Sequence, residues 1–163
     1  IAGFNYGAKH WDRVKEVINT ALRSGTFIAI GLFTIILLFS SNITSLFTTD
    51  SELIQRTPSA LIIVFLATPL ITVQLVGAAY FQAIGKALPA LFLTLTKQGF
   101  FLIPLVLILP LFFGLKGVWY SFPIADVLAA TVTYTYLQRE IRRDLNKKIK
   151  TQDEVDLVPA MDQ

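Results

Sequence analysis

At 163 residues, 54% hydrophobic and only 15% charged, with a mean hydropathy of +0.62, the chain is too apolar for an ordinary water-soluble domain and falls in the membrane class. A net charge of +3 and a pI near 9.3 do not imply a nucleic-acid partner, because the fourteen Lys and Arg lie between apolar runs rather than on one basic face. With no Cys and a single His10, disulfide frameworks and thiolate or histidine-cluster metal sites are excluded, and no cofactor is expected.

The chain opens on Ile1-Ala2-Gly3 and its only Met is Met161, so a fragment of a longer protein is expected, without a signal peptide. Crossing a hydrocarbon layer of about 30 Å takes about 20 mostly apolar residues at about 1.5 Å per residue. Four segments meet that length, at about residues 17–41, 59–82, 88–113 and 118–137. Apolar residues lie all round them, which suits helices and not alternating strands. The expected fold is therefore an all-α integral membrane protein with four transmembrane helices in residues 1–150, followed by an acidic, disordered tail at 151–163.

Orientation follows from the connections. Lys9, Arg13 and Lys15 precede the first span, Lys86 joins the second to the third, and Arg139, Arg142, Arg143, Lys147, Lys148 and Lys150 follow the fourth. The opposite connections are poorer in positive charge: a loop at about 42–58, where Asp50 and Glu52 balance Arg56, and the turn Gly114-Leu115-Lys116-Gly117. The positive-inside rule puts both ends of the chain in the cytoplasm of a cell-membrane protein. Trp11, Tyr80, Trp119 and Tyr120 fall near the membrane edges, where interface anchoring is expected, and Arg23 is expected to snorkel.

Inside the spans, Asp126 is the most informative residue, because a carboxylate at a helix centre costs about 2.5 to 3.5 kcal/mol to insert. Its helical neighbours Phe122, Pro123, Ala129, Ala130 and Thr133 are mostly small or weakly polar, so it is expected to face protein. Either it holds a proton, a cation or a cationic substrate, or it makes a structural ion pair or caps a broken helix. Lys97 is the candidate partner: counting along the spans puts the two at depths differing by about 6 Å, within reach of a lysine. Alternatively Lys97 snorkels along Thr94 and Ala90. The second span carries Thr68-Pro69, Thr72, Gln74 and Gly77, a polar and helix-disturbing series that fits either a cavity wall or interhelical hydrogen bonding. Pro104 and Pro110 bend the third span or end it. No Gly-rich phosphate loop, nucleophile constellation or metal-ligand spacing is present, so enzyme activity is not expected.

Four short segments in order carry a family resemblance: Gly3-Phe4-Asn5-Tyr6-Gly7-Ala8-Lys9 with Arg13-Val14-Lys15, then Phe81-Gln82-Ala83-Ile84-Gly85-Lys86-Ala87, Gly117-Val118-Trp119 and Pro123-Ile124-Ala125-Asp126. Together they resemble the C-terminal repeat of multidrug and toxic compound extrusion (MATE) transporters, over roughly residues 1–150. The resemblance implies that the four spans are helices nine to twelve, most of the second of two six-helix lobes. It implies a secondary antiporter that exports drugs or other amphipathic, often cationic compounds in exchange for sodium ions or protons, by alternating access. The partners it implies are that small-molecule substrate, the coupling ion, the bilayer and the N-terminal lobe of the full-length protein. NorM-like members carry a coupling carboxylate in helix ten, whereas residues 59–82 contain no Asp or Glu. That departure points to DinF-like members, whose coupling carboxylates lie in the first lobe. Asp126, Gln74 and Lys97 are the candidate substrate or cation contacts. The alternatives are a related flippase of lipid-linked saccharides, against which the scarcity of intramembrane cations argues, and a non-transporting membrane scaffold.

Overall fold

The computed structural model describes residues 1–157 and contains helices with no strand among them, as the apolar runs require. A short α1 (Ala2–Gly7) leads into the long α2 (Trp11–Phe47), followed by α3 (Ser51–Phe65), α4 (Thr68–Ala83) and α5 (Ala87–Leu95). A π-helical segment (Thr96–Leu102) carries α5 directly into α6 (Ile103–Phe113), and α7 (Leu115–Glu140) runs through a second π segment (Ile141–Leu145) into α8 (Asn146–Leu157). The tail expected at 151–163 falls partly on α8, and residues 158–163 lie outside the described residues.

Among the described residues, two helices are long and apolar enough to cross a bilayer, α2 and the continuous rod Ala87–Phe113. A third crossing exists if α3 and α4, bent by 42° at their junction, count as one broken span. The cause of that break is Pro69. A proline ring clashes with the carbonyl four residues back, here Phe65, and α3 ends at that residue. Pro69 then sits in the first turn of α4, where a missing N–H leaves nothing unpaired. The fourth expected segment lies in α7, which is more polar and serves as the core of the bundle, with nine residues buried.

Two expectations are corrected here. The loop read at 42–58 is mostly helical and shrinks to Thr48–Asp50: Thr44 and Ser45 hydroxyls bond back to the carbonyls of Ser40 and Asn42, and the Asp50 carboxylate caps α3 by accepting from the N–H groups of Glu52 and Leu53. Glu52 in turn pairs with Arg56 at 3.3 Å, one turn on. Tyr80 is not an interface anchor. It is 3% exposed and sits in the main apolar cluster, against Phe81.

That cluster, built from Val14, Ile18, Phe81, Leu93, Leu137, Ile141 and Leu145 among others, gathers the N-terminal half of α2, the end of α4, α5, the end of α7 and the second π segment at one end of the bundle. Polar clasps close the same end. Lys86 meets Glu140 at 2.7 Å, Lys15 donates to Asn146 at 3.3 Å, and the Lys148 ammonium bonds the Tyr6 hydroxyl at 2.8 Å while lying over the Tyr6 and Trp11 rings. The three basic connections that the sequence assigns to one side are thus physically together.

Elsewhere the helices meet through small residues. With lipid on the outside no hydrophobic drive favours helix association, so close backbone approach supplies it. Gly77 of α4 receives the Thr133 methyl of α7, and Gly25 of α2 receives that of Thr72. At the α6–α7 turn, Gly114 adopts φ 56°, a conformation left to glycine, and a Cβ on Gly117 would stand 2.5 Å from the Leu109 carbonyl. Because that obstacle is backbone, Gly117→Val in the full-length protein is expected to lose about 1–3 kcal/mol of stability. Gly31→Val, with the same propensity change in open space, is the control. Equal thermal unfolding midpoints for the two variants would contradict the packing.

Candidate functional site

The three residues singled out inside the spans converge on one point. Lys97 Nζ stands 2.6 Å from Asp126 Oδ1. Gln74 Nε2 donates to the same Oδ1 at 3.3 Å and to the Asp126 main-chain carbonyl at 3.1 Å. Three chain segments meet there: α4 supplies Gln74, the first π segment supplies Lys97 and α7 supplies Asp126. Asp126 lies 11 residues into α7 and 14 from its end, roughly 17 and 21 Å, so the node is mid-bundle.

Each segment places its side chain for a local reason. On α7 the face around Asp126 is Ser121, Pro123, Ala125, Ala129, Ala130 and Thr133, all buried, so α4 and the π segment approach closely enough to reach the carboxylate. Gln74 stands one turn before Gly77, where α4 packs against Thr133 of α7, and its amide reaches Asp126. Lys97 is the second residue of a π turn. Such a turn adds a residue to the helical repeat and swings the following side chains round the axis, a device concentrated at functional sites. Lys97 therefore points across to α7 and does not snorkel.

Magnitudes decide which contact matters. The Asp126 side chain is 3% exposed, and inserting a carboxylate costs about 2.5–3.5 kcal/mol. Interhelical hydrogen bonds return about 0.6 kcal/mol each, so Gln74 alone cannot hold the charge and the ammonium must. Lys97 is held less tightly, its side chain 25% exposed. It lines a cavity of about 230 Å³ together with Ile71, Gln74, Ala78, Thr94 and Gln98. A second, almost wholly apolar cavity of about 340 Å³ lies between α2 and α4, beside Gly25, Thr68 and Thr72.

Chemically, the node offers one carboxylate that accepts a proton, a small cation or an ammonium, with an amide at its side. No group of three His, Asp or Glu side chains able to hold a metal exists among the described residues. The contributions of Thr94, Gln98 and the π turn were not singled out in the sequence. Their signal was the polar run Thr94, Thr96, Lys97, Gln98 and Gly99 in an otherwise apolar rod.

A family model, MatE, matches residues 1–108. The solved structure of the MATE multidrug transporter DinF-BH, a complex with a small molecule, is 45% identical, with a TM-score of 0.79 over 85% of this chain and 31% of that one. A MATE in complex with MaD3S is 25% identical, with a TM-score of 0.79 over 90% and 32% of the two chains. An outward-facing multidrug resistance MATE family transporter of the MOP superfamily shares the fold, at 24% identity and a TM-score of 0.83 over 90% and 33%. No curated protein sequence matches. The chain thus spans about a third of the length of the solved structures it resembles.

The unequal exposure of the pair gives a directional prediction. Lys97→Met strands a carboxylate in the core and is expected to cost about 3 kcal/mol in the full-length protein, at the low end for a broken buried pair. Asp126→Asn leaves an ammonium with access to the cavity and should cost less, and the double variant should recover most of the Lys97→Met loss. Additive losses in reversible unfolding would show that the two side chains do not interact.

Proposed function

This chain belongs to the MatE family, and from that premise we propose that it forms most of the second lobe of a secondary antiporter that exports amphipathic, often cationic compounds. In this reading the crossings are four: α2, the bent pair α3 and α4, the rod Ala87–Phe113, and α7. Both ends and the Lys86 connection lie in the cytoplasm of a plasma-membrane protein, in keeping with the clustered clasps at that end. The rest of the full-length protein supplies the first lobe and the other wall of a cavity that opens to each side in turn. A sodium ion or a proton drives the exchange by binding one state better than the other.

One observation carries the role of this chain: a carboxylate 3% exposed, in the middle of the bundle, held by a lysine that borders a cavity. Buried intramembrane charges at helix junctions mark ion and substrate paths. Asp126 is the cation-binding position, Lys97 its resident counter-charge, and Gln74 the hydrogen-bonding side chain beside it. The similarity to DinF-BH, together with the lack of any acid in α4, supports a coupling carboxylate in the first lobe. A flippase of lipid-linked saccharides fits less well, because Lys97 stands at the node beside a carboxylate and not within a group of cations that would hold a pyrophosphate.

The test is ethidium efflux from cells expressing the full-length parent, with sodium and proton gradients collapsed separately. Wild type should export the dye. Asp126→Asn at equal membrane abundance should export about tenfold less or worse, the effect of losing a charge-assisted contact of about 1.5–3 kcal/mol. Equal export by both would reduce Asp126 to a structural residue, and no export by the wild type would overturn the exporter reading.

A further inference from the structure

A structural ion pair is best built from two enclosed, rigidly held partners, and this pair is built otherwise. The carboxylate is enclosed while its counter-charge rides on a four-carbon stem, part of it open to a cavity. The 2.6 Å contact is direct, leaving no room for water between ammonium and carboxylate. The adjoining space, about 230 Å³, is large enough for several waters at about 30 Å³ each and has Thr94 and Gln98 in its lining. An ammonium leaving Asp126 therefore has room beside polar side chains, and the π turn that carries it is already off the regular helical path. Gln74 suits the exchange as well. Its amide now donates to Asp126 Oδ1, and a half-turn of the same group presents its carbonyl oxygen, a ligand for a cation in place of a donor for an anion.

We propose that the Lys97 ammonium is a tethered cation that fills a monovalent-cation site formed by Asp126 and Gln74. A guest cation, above all the ammonium head of an amphipathic compound, enters that site by displacing Lys97 into the adjoining cavity. This deepens the reading of Asp126 as a cation-binding position and rests on it. The swap keeps the carboxylate neutralised throughout, and the charge left over is the Lys97 ammonium, which moves to the cavity beside Thr94 and Gln98.

The proposal makes removal of the lysine a gain of binding. The experiment uses purified full-length protein and follows thermal unfolding in ethylammonium chloride or sodium chloride, each against N-methylglucamine chloride at equal ionic strength. Ethylammonium reproduces the last two carbons and the ammonium of the propylammonium that Lys97→Ala deletes. In that variant one of the two small cations should raise the midpoint by on the order of 2 °C more than in wild type. The extra shift should vanish in Lys97→Ala with Asp126→Asn. No extra shift with either cation, or the same shift in the double variant, would overturn the proposal. If Lys97→Ala does not accumulate, Lys97→Gln serves the same comparison with a longer polar side chain. The readout is independent of dye export: an extra shift in a protein that exports no dye would sink the exporter reading alone, and export without the shift would sink this one alone.

Discussion

A carboxylate cannot stand bare in hydrocarbon, and the middle of this bundle is organised around that constraint. Asp126 needs a cation, and Lys97 reaches it from the π turn of a neighbouring helix. Gln74 completes the shell from a third helix. For all three to meet, α4 and α7 must approach to backbone distance, which Gly77, Ala129 and Ala130 permit. The pair thus sets the register of the bundle as well as its polarity. Packing at the basic end, from Val14 and Ile18 through Phe81 to Leu145, is conventional by comparison and requires only apolar bulk.

The same constraint links structure to activity. On the proposed reading, a lobe that rocks within a membrane would have to keep Asp126 neutralised in every position it visits. A lysine on a flexible stem meets that need and, as proposed above, stays exchangeable. The apolar cavity between α2 and α4 differs in kind, with no charge near it, and it lies on the side of α4 turned to α2. The chain therefore presents one hollow bordered by a lysine and one lined almost wholly by apolar groups.

Much of this was legible in the residues. Counting depth along two spans made Lys97 a candidate partner for Asp126, because membrane thickness turns sequence position into height, but left snorkelling open until the helices were seen to be neighbours. The enclosure of Asp126 followed from the small residues one and two turns along α7. Three things were not legible. The helical course through 42–58 was hidden because Ser, Thr and Asn usually signal a loop, yet here their hydroxyls bond back to helix carbonyls. Tyr80 looked like an interface anchor because its position in the chain, unlike its burial, is all that a sequence gives. The π turn was unreadable in detail, since a single added residue leaves hydropathy unchanged; only the polar run around Lys97 marked the place. The DinF-like assignment, drawn from an acid missing in α4, agrees with the 45% identity to DinF-BH.

The site exists only if α4 and α7 meet in the register that brings Gln74 to Asp126, and a disulfide between the two helices reports that register. A Cβ on Gly77 would lie 3.8 Å from that of Thr133, the mean spacing of bonded cysteines, and the chain has no native Cys to confuse the result. In native membranes, with any Cys outside this chain replaced, mild oxidation of Gly77→Cys with Thr133→Cys should remove both thiols from maleimide labelling, while Gly31→Cys with Thr133→Cys stays labelled. Persistent labelling of the first pair, or equal protection of the second, would contradict the register and with it the site.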